Sequence, residues 1–259
     1  MQKVAVIMLN YNMVEIIEHN IKVLKTSKVP MDIIVVENGS DVNWSFAPDD
    51  FDDENVHMVY LDYNLRATHG YRMGLSYAKS LEALNDEKYF AYFIMTTTGQ
   101  LLDNGVDPLL DLYNYLQEDE NAVIIQAAHD EESIGFWQQL RNRGTGGPRR
   151  TWFMEHSCAL FRADWFDEVD WLDPRLHIHG TDLYYSWQAR RDGRGIYVHD
   201  GLEMHRHNNN MFELGRAPEA DPAERTRLAR SSMQKALSEE LGQNWEERLM
   251  KEFVEEEWL

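Results

Sequence analysis

The stretch VAVIMLNYN at residues 4–12 and its echo IIVVENGS at residues 33–40 decide the fold of this chain. Each is a continuous apolar run, rich in β-branched residues, that stops at polar turn formers. Such runs are typical of strands buried on both faces of a parallel sheet. Between them, Val14, Ile17 and Ile21 recur at three- and four-residue spacing, which predicts a helix. The two runs therefore predict a β-α-β unit whose strands end in polar residues at a ligand crevice.

Strand-like runs and helical periodicity continue to alternate as far as about residue 127. In the helix predicted over residues 68–84, the spacing places Met73, Tyr77, Leu81 and Leu84 on the inward face. Gly70 and Gly74 share one face of the same helix, which favours close backbone packing. Alternating strands and helices indicate an α/β architecture, with a mostly parallel sheet flanked by helices.

The last part of the chain differs in kind, because apolar residues recur there at four-residue spacing with acidic residues between them. Leu237 and Leu241 belong to this series, which predicts one helix, or two helices broken near Gly242. We predict a main domain over residues 1–215 and a C-terminal helical extension over residues 216–259 that packs on it. A helix that pairs two copies of the chain is the alternative, so the oligomeric state stays open.

The composition excludes several kinds of protein. The 259 residues contain 25 lysines and arginines against 45 aspartates and glutamates, which gives a formal net charge of −20. A surface with that charge repels phosphate backbones, so nucleic-acid binding is not expected. The single cysteine, Cys158, excludes an intramolecular disulfide and fits a reducing compartment. No apolar stretch approaches the roughly 20 residues that cross a bilayer, so we expect a cytoplasmic protein without a transmembrane segment.

A glycine-rich stretch, GTGGP at residues 144–148, interrupts the alternating pattern. One interpretation is a surface loop, and the other is a mobile lid over a substrate. The stretch is not a phosphate-binding P-loop, because no strand precedes it and no Lys-Ser/Thr pair follows it.

Five sequence motifs follow one another over roughly residues 4–207. They are the first strand at residues 6–12, the VVENGS turn at residues 35–40, the segment at residues 64–78, the CALFR run at residues 158–162 and the closing segment at residues 180–205. Together they resemble the inverting glycosyltransferases of family 2, particularly the rhamnosyltransferase-like branch. The resemblance implies the GT-A fold, a Rossmann-like sheet flanked by helices.

The same resemblance implies an activity, the transfer of a sugar from a nucleoside-diphosphate donor to a glycan or other hydroxyl acceptor. A uridine or thymidine donor, UDP-sugar or dTDP-sugar, is favoured. The alternative is a sugar-nucleotide-binding module that has lost catalysis. A nucleotidyltransferase on a related fold is disfavoured, because no glycine-rich loop follows the first strand.

Candidate site residues follow from the positions that match the family motifs. Asp182 matches the aspartate that serves as the catalytic base, which deprotonates the acceptor hydroxyl. Glu37 stands where the family has an aspartate that binds the nucleotide base. Asn10 and Tyr11, at the tip of the first strand, would flank the same base.

Other matching positions would meet the charge of the departing diphosphate. Arg66, which stands where glycine is usual, and Arg72 lie on the segment that lines the nucleotide pocket, and either could reach phosphate. His205 matches a histidine that contacts the metal or the diphosphate. If no metal takes part, His205, Arg206 and the other arginines must supply the positive charge.

The resemblance fails where the family has an Asp-x-Asp or Asn-x-Asp pair that binds a divalent metal and the diphosphate. This chain has Thr96-Thr97-Thr98 there. Threonine hydroxyls can donate hydrogen bonds to phosphate, so we expect Thr96 and Thr98 to bind the donor. They are poor ligands for Mg²⁺ or Mn²⁺ beside a carboxylate, so the need for a metal cofactor stays open. The candidate metal ligands are Asp103 and His205.

Overall fold

The structure is a computed structural model that describes residues 1–47, 51, 53–133, 138–169, 172–176, 180–207, 222–245 and 247. The strands are β1 (Val4–Asn10), β2 (Met31–Asn38), β3 (Val56–Leu61), β4 (Ala91–Met95), β5 (Gly99–Leu101), β6 (Ala122–His129), β7 (Pro148–Thr151), β8 (Cys158–Arg162) and β9 (Gly195–Arg206). The helices are α1 (Val14–Leu24), α2 (Arg66–Asn85), α3 (Leu110–Glu118), α4 (Ala163–Glu168), α5 (Thr181–Arg191) and α6 (Pro222–Leu241).

The described strands form one nine-stranded sheet in the order β3-β2-β1-β4-β8-β6-β9-β5, with β7 paired to β9. In the first half of the sheet, β1 runs parallel to β2 and β4, and β2 runs parallel to β3. In the second half, β8 is antiparallel to both of its neighbours, while β6 and β9 are parallel. The predicted α/β architecture with a mostly parallel sheet is confirmed.

Burial of β1 on both faces explains its continuous apolar sequence. Because successive side chains point to opposite faces of a sheet, Val6 and Met8 enter one core and Ile7 and Leu9 enter the other. Helices α1 and α3 cover the first face, and α2, α4 and α5 cover the second. Polar groups of the strand therefore appear only at its carboxyl end, at Asn10.

Helix α2 packs on the sheet through its glycines, as predicted. A Cβ at Gly74 would lie 2.6 Å from Ile7 Cγ2 and 3.0 Å from Val36 Cγ2, so only glycine allows this approach. The prediction that Met73 and Leu84 face inward was wrong, since these side chains are 39% and 80% exposed, whereas Tyr77 and Leu81 pack against the core as predicted. The close contact at Gly74 places Tyr71, Leu75 and Ala78 in the centre of the buried face, so Met73 lies at its edge.

Helix α6 lies against α5, and it ends at Leu241 because Gly242 adopts a left-handed conformation with φ of +88°. The apolar side chains that meet between the two helices are Leu176, Tyr184, Trp187, Ala236, Leu237, Leu241 and Trp245. The boundary expected at residue 215 lies outside the described residues, as does much of the chain beyond Trp245, so the domain division stays a prediction.

Across the described ranges, no helix combines the length and apolar character that a bilayer span requires.

The replacement Gly74→Ala tests the packing of α2 on β1. Alanine has the higher helix propensity, but its methyl group would displace Ile7, so we expect unfolding free energy to fall by about 1–3 kcal/mol. The matched control is Ser76→Ala at an exposed position of the same helix, where we expect a change within about 0.5 kcal/mol. Urea denaturation measures both, and equal effects of the two replacements would contradict the packing argument.

Candidate active site

A cleft of about 190 Å³ opens at the carboxyl ends of the central strands. Its walls come from the end of β1, the start of α2, the turn after β4, residues 155–157, the first turn of α5 and the end of β9. This is the edge at which open α/β sheets bind ligands, because the loops that follow parallel strands gather there. The cleft contains Asp182, Thr96 and Thr98, three of the residues predicted for the site.

An ion pair between Glu155 and Arg206 occupies the wall of the cleft. Arg206 Nη1 lies 2.7 Å from Glu155 Oε1 and 2.8 Å from Glu155 Oε2. The Ser157 hydroxyl also donates to Glu155, and His129 Nε2 lies 3.5 Å from the same carboxylate. Burial raises the pKa of Glu155 to about 7. The positive charge of Arg206 opposes this rise, and the negative charge of Asp182 adds to it. Glu155 therefore changes its protonation state near neutral pH.

Asp182 stands in the first turn of α5, where the backbone N–H of Leu183 donates to its Oδ1 at 3.0 Å. Burial raises the pKa of Asp182. The preceding turn depends on Gly180, which has φ of +99° and packs so tightly that a Cβ would lie 2.8 Å from Met233 Cγ. Helix α6 thus packs against the turn that presents Asp182 to the cleft.

The three threonines form the turn between β4 and β5. The Thr96 N–H donates to the Ser157 carbonyl at 3.2 Å, and the His207 N–H donates to the Thr98 carbonyl at 2.9 Å. Thr96 Oγ1 is buried and has no hydrogen-bond partner within the described residues. A divalent metal does not fit this turn, because its side chains are neutral and both oxygens of Glu155 already accept from Arg206.

His156 is a second polar residue of the cleft wall. Its Nδ1 lies 3.2 Å from the Thr181 hydroxyl, while its buried Nε2 has no hydrogen-bond partner among the described residues. Burial lowers the pKa of His156 to about 3, so the imidazole is neutral. Unpaired buried polar groups are uncommon in folded proteins, and two of them stand in the walls of this one cleft.

His205 lies outside the cleft, against the expectation that it contacts the diphosphate. Successive strand residues point to opposite faces, so His205 and Arg206 project from opposite sides of β9. His205 Nδ1 lies 2.9 Å from Asp130 Oδ2, and ligand atoms of Asp130, Glu132 and His205 fall within 4.8 Å of one another. These three residues could hold a metal. Asp103, the other predicted ligand, is exposed and is not in this group.

Asn10 and Glu37 meet at the ends of β1 and β2, where Asn10 Nδ2 donates to Glu37 Oε2 at 2.7 Å. Glu37 is only 4% exposed, and it also accepts from the backbone N–H groups of Ser40 and Phe46. Through these hydrogen bonds, Glu37 attaches the segment that follows β2 to the carboxyl ends of β1 and β2. Tyr11 is half-buried beside them. None of these residues lines the cleft, and their contact with a nucleotide base stays a prediction.

The two predicted arginines differ in position. Arg66 begins α2, beside the cleft wall, and has φ of +67°, the left-handed conformation that favours glycine. Arg72 Nη1 instead donates to the Leu172 carbonyl at 2.9 Å, and Arg72 is not among the residues that line the cleft. Neither arginine lines the cleft, although Arg66 is next in sequence to Ala67 and Thr68, which do, and the contact of either arginine with phosphate stays a prediction.

The glycine-rich stretch is attached to β9. The Thr145 hydroxyl and Arg149 Nε each lie 2.9 Å from the Asp200 carboxylate, whose side chain is completely buried. Strand β7 then pairs with β9 directly after the glycines. These contacts favour the surface-loop interpretation over the lid.

Sequence reasoning did not assign Glu155 or His156 to the site, and it named Arg206 only as a possible source of charge. A signal for Glu155 was present, because it is the one acidic residue in the apolar stretch at residues 151–161. A carboxylate in such a stretch must be paired when it is buried.

Solved structures with a similar backbone are glycosyltransferases. The crystal structure of GalNAc-T7 with UDP, GalNAc and Mn²⁺ matches with a TM-score of 0.54 and 13% identity over 79% of this chain and 44% of that chain. Residues 1–349 of S. aureus TarS match with a TM-score of 0.55 and 13% identity over 92% of this chain and 73% of that chain. A longer S. aureus TarS structure matches with a TM-score of 0.56 and 14% identity over 97% and 43% of the two chains.

The chain thus spans less than half the length of GalNAc-T7 and of the longer TarS chain. No protein-family description and no curated sequence matches it. The similarity in backbone shows that this protein has a GT-A-like glycosyltransferase fold.

The replacement Glu155→Gln tests the protonation of the buried carboxyl. Because its pKa is raised in the folded state, the native protein binds this proton more tightly than the unfolded chain does. The contribution of Glu155 to stability is therefore greatest below about pH 4.5 and is lost as the pH rises to about 7. The difference in unfolding free energy between wild type and variant should change by on the order of 3 kcal/mol over that range. A difference that stays constant with pH would contradict the burial argument.

The replacement Arg66→Gly tests the strained start of α2. Glycine adopts a positive φ without steric cost, so we expect the unfolding free energy to rise by about 0.5–1 kcal/mol. Arg66→Ala removes the same guanidinium but keeps a Cβ, and it should bring no such gain. Chemical denaturation of the two variants separates backbone strain from side-chain contacts, and equal stabilities would show that strain is not the dominant effect.

Proposed function

We propose that this protein is an inverting glycosyltransferase that moves a sugar from a nucleoside-diphosphate sugar to a hydroxyl acceptor. The observation that carries the proposal is the position of Asp182, a carboxylate in the same cleft as the Thr96–Thr98 turn and Arg206. The GT-A-like fold and the motif resemblance support the same conclusion. The rhamnosyltransferase-like branch of family 2 stays part of the proposal.

Asp182 is suited to act as the general base. The Leu183 N–H donates to one of its oxygens, and the carboxylate lines the cleft, where it would take the proton of the acceptor hydroxyl. The acceptor oxygen attacks the anomeric carbon, the bond from that carbon to the diphosphate oxygen breaks, and the electron pair leaves with the diphosphate. The raised pKa of Asp182 makes it a stronger base at neutral pH than an exposed aspartate.

The nucleoside would bind beside the cleft, at the ends of β1 and β2. Tyr11 provides an aromatic ring there for the base. Glu37, held by Asn10, provides a carboxylate that suits the imide N3–H of uracil or thymine once the segment after β2, whose N–H groups now donate to it, moves aside. The UDP in the GalNAc-T7 structure supports a uridine donor, and a dTDP-sugar fits the same chemistry. The acceptor would enter on the side of α5, within reach of Asp182.

A binding module without catalysis is the second candidate. The observation that favours it is the Thr96-Thr97-Thr98 turn, which lacks the carboxylates expected of the family at that place. The two candidates predict the same donor binding and differ in turnover.

The replacement Asp182→Asn separates them. Isothermal titration measures UDP binding, and chromatography measures nucleoside diphosphate released from UDP-glucose, UDP-N-acetylglucosamine, UDP-N-acetylgalactosamine and dTDP-rhamnose with a panel of glycan acceptors. We expect the variant to keep donor affinity within about twofold and to lose about 100-fold or more in release, because it removes the base.

The matched control is Asp164→Asn in the first turn of α4. Asp164 accepts from the N–H of the next residue, as Asp182 does, but it lies outside the cleft. We expect wild-type release from this variant. Donor binding without release in the wild type would favour the inactive module, and unchanged release by Asp182→Asn would remove Asp182 from the mechanism.

A further inference from the structure

The departing diphosphate carries negative charge that the cleft must meet with positive charge, and the threonine turn does not fit a divalent metal. We propose that the Arg206 guanidinium binds the diphosphate of the donor directly, with Glu155 as the residue that positions it. This inference rests on the proposed function and names the group that meets the leaving charge.

Arg206 has donors left for an anion. A guanidinium carries five N–H groups on three nitrogens, and the contacts with Glu155 use Nη1 alone. Within the described residues, Nε and Nη2 of Arg206 make no hydrogen bond, and 29% of the side chain is exposed. Two adjacent donors in one plane match two oxygens of a phosphate.

The surroundings of Arg206 favour an anion at the same place. The first turns of α2 and α5 contribute Thr68 and Thr181 to the cleft, so the positive ends of two helix dipoles reach it. The hydroxyls of the threonine turn add neutral donors beside Arg206, because this turn is joined to the end of β9 by the hydrogen bond from the His207 N–H to the Thr98 carbonyl. Helix ends and hydroxyls alone bind anions weakly, and Arg206 is the one full positive charge among the residues that line the cleft.

Glu155 positions the guanidinium and adjusts the charge of the cleft. With both carboxylates ionised, Arg206 faces two negative charges, Glu155 beside it and Asp182 on α5. The other titratable neighbours, His129 on β6 and His156, are neutral because burial lowers their pKa values to about 4 and about 3. An arriving diphosphate favours protonation of Glu155, which leaves the charge of Arg206 to the anion.

A metal held by Asp130, Glu132 and His205 is the competing explanation. His205 projects from the face of β9 opposite to Arg206, Asp130 and Glu132 follow the end of β6, and none of the three lines the cleft. The two explanations differ in the effect of EDTA and in the variants that weaken binding.

The test measures binding of UDP, UMP, uridine and inorganic pyrophosphate by isothermal titration in EDTA and in Mn²⁺. We expect the wild type to bind UDP about tenfold or more tightly than UMP in EDTA, because the second phosphate adds a charge-assisted contact. Arg206→Gln should abolish that preference and leave uridine binding within about twofold. Arg206→Lys keeps the charge without the planar fork and should be intermediate.

Three further variants keep the test decisive. Arg206→Gln leaves Glu155 without its partner, so the double variant E155Q/R206Q, which replaces both charges by amides, is measured beside it. Arg191→Gln on α5 is the matched control, since Arg191 pairs with Asp192 away from the cleft and should change nothing. In Glu155→Gln, UDP affinity should lose its decline between about pH 6 and pH 8.

A UDP preference that survives in the Arg206 variants would overturn the inference and leave the proposed function standing. A preference that requires Mn²⁺ and disappears in Asp130→Asn would overturn it in favour of the metal. Pyrophosphate binding that depends on Arg206, with UDP no tighter than pyrophosphate, would support the inference and overturn the nucleotide-sugar function. Absence of binding by every ligand would overturn both.

Discussion

Burial of the central strands on both faces is the constraint on which the rest of this structure depends. Helices cover each side of β1 and β2, so polar groups are confined to the edge where the strands end. The three charged residues of the cleft are carried to that edge by three different elements. Asp182 comes from the start of α5, Arg206 from the end of β9 and Glu155 from the segment before β8. The sheet thus provides a rigid frame, and the connections between its elements provide the chemistry.

Charge balance is the main physical problem inside the cleft. The chain carries a formal net charge of −20, and two buried carboxylates share a cleft with one guanidinium. Desolvation raises the pKa of each carboxyl, which reduces the negative charge that a diphosphate would meet. The same desolvation makes one guanidinium more effective than it would be in water, because the surrounding dielectric is low. A single positive charge can therefore dominate a site on a strongly acidic protein.

Backbone geometry around the cleft explains why a few positions accept only certain residues. Gly180 allows α6 to approach the turn before α5, and Gly74 allows α2 to approach β1, at points where any Cβ would collide. Arg66 adopts a conformation that costs about 1–2 kcal/mol for a residue with a side chain. Strain of this size is typical of functional sites, and Arg66 begins the helix that forms one wall of the cleft.

The sequence by itself determined the β-α-β start and the glycine face of α2, because periodicity and turn residues are local properties. Asp182 and the threonines became candidates through the resemblance to family 2 glycosyltransferases, and no local pattern indicated them. Only the tertiary structure decided which side chains share the cleft. Glu155 and Arg206 are 51 positions apart, and no local pattern pairs them. His205 and Arg206 are adjacent, yet the pleat of β9 sends one away from the cleft and the other into it. Pairing across a sheet depends on register and strand order, which the chain acquires only when its two cores close.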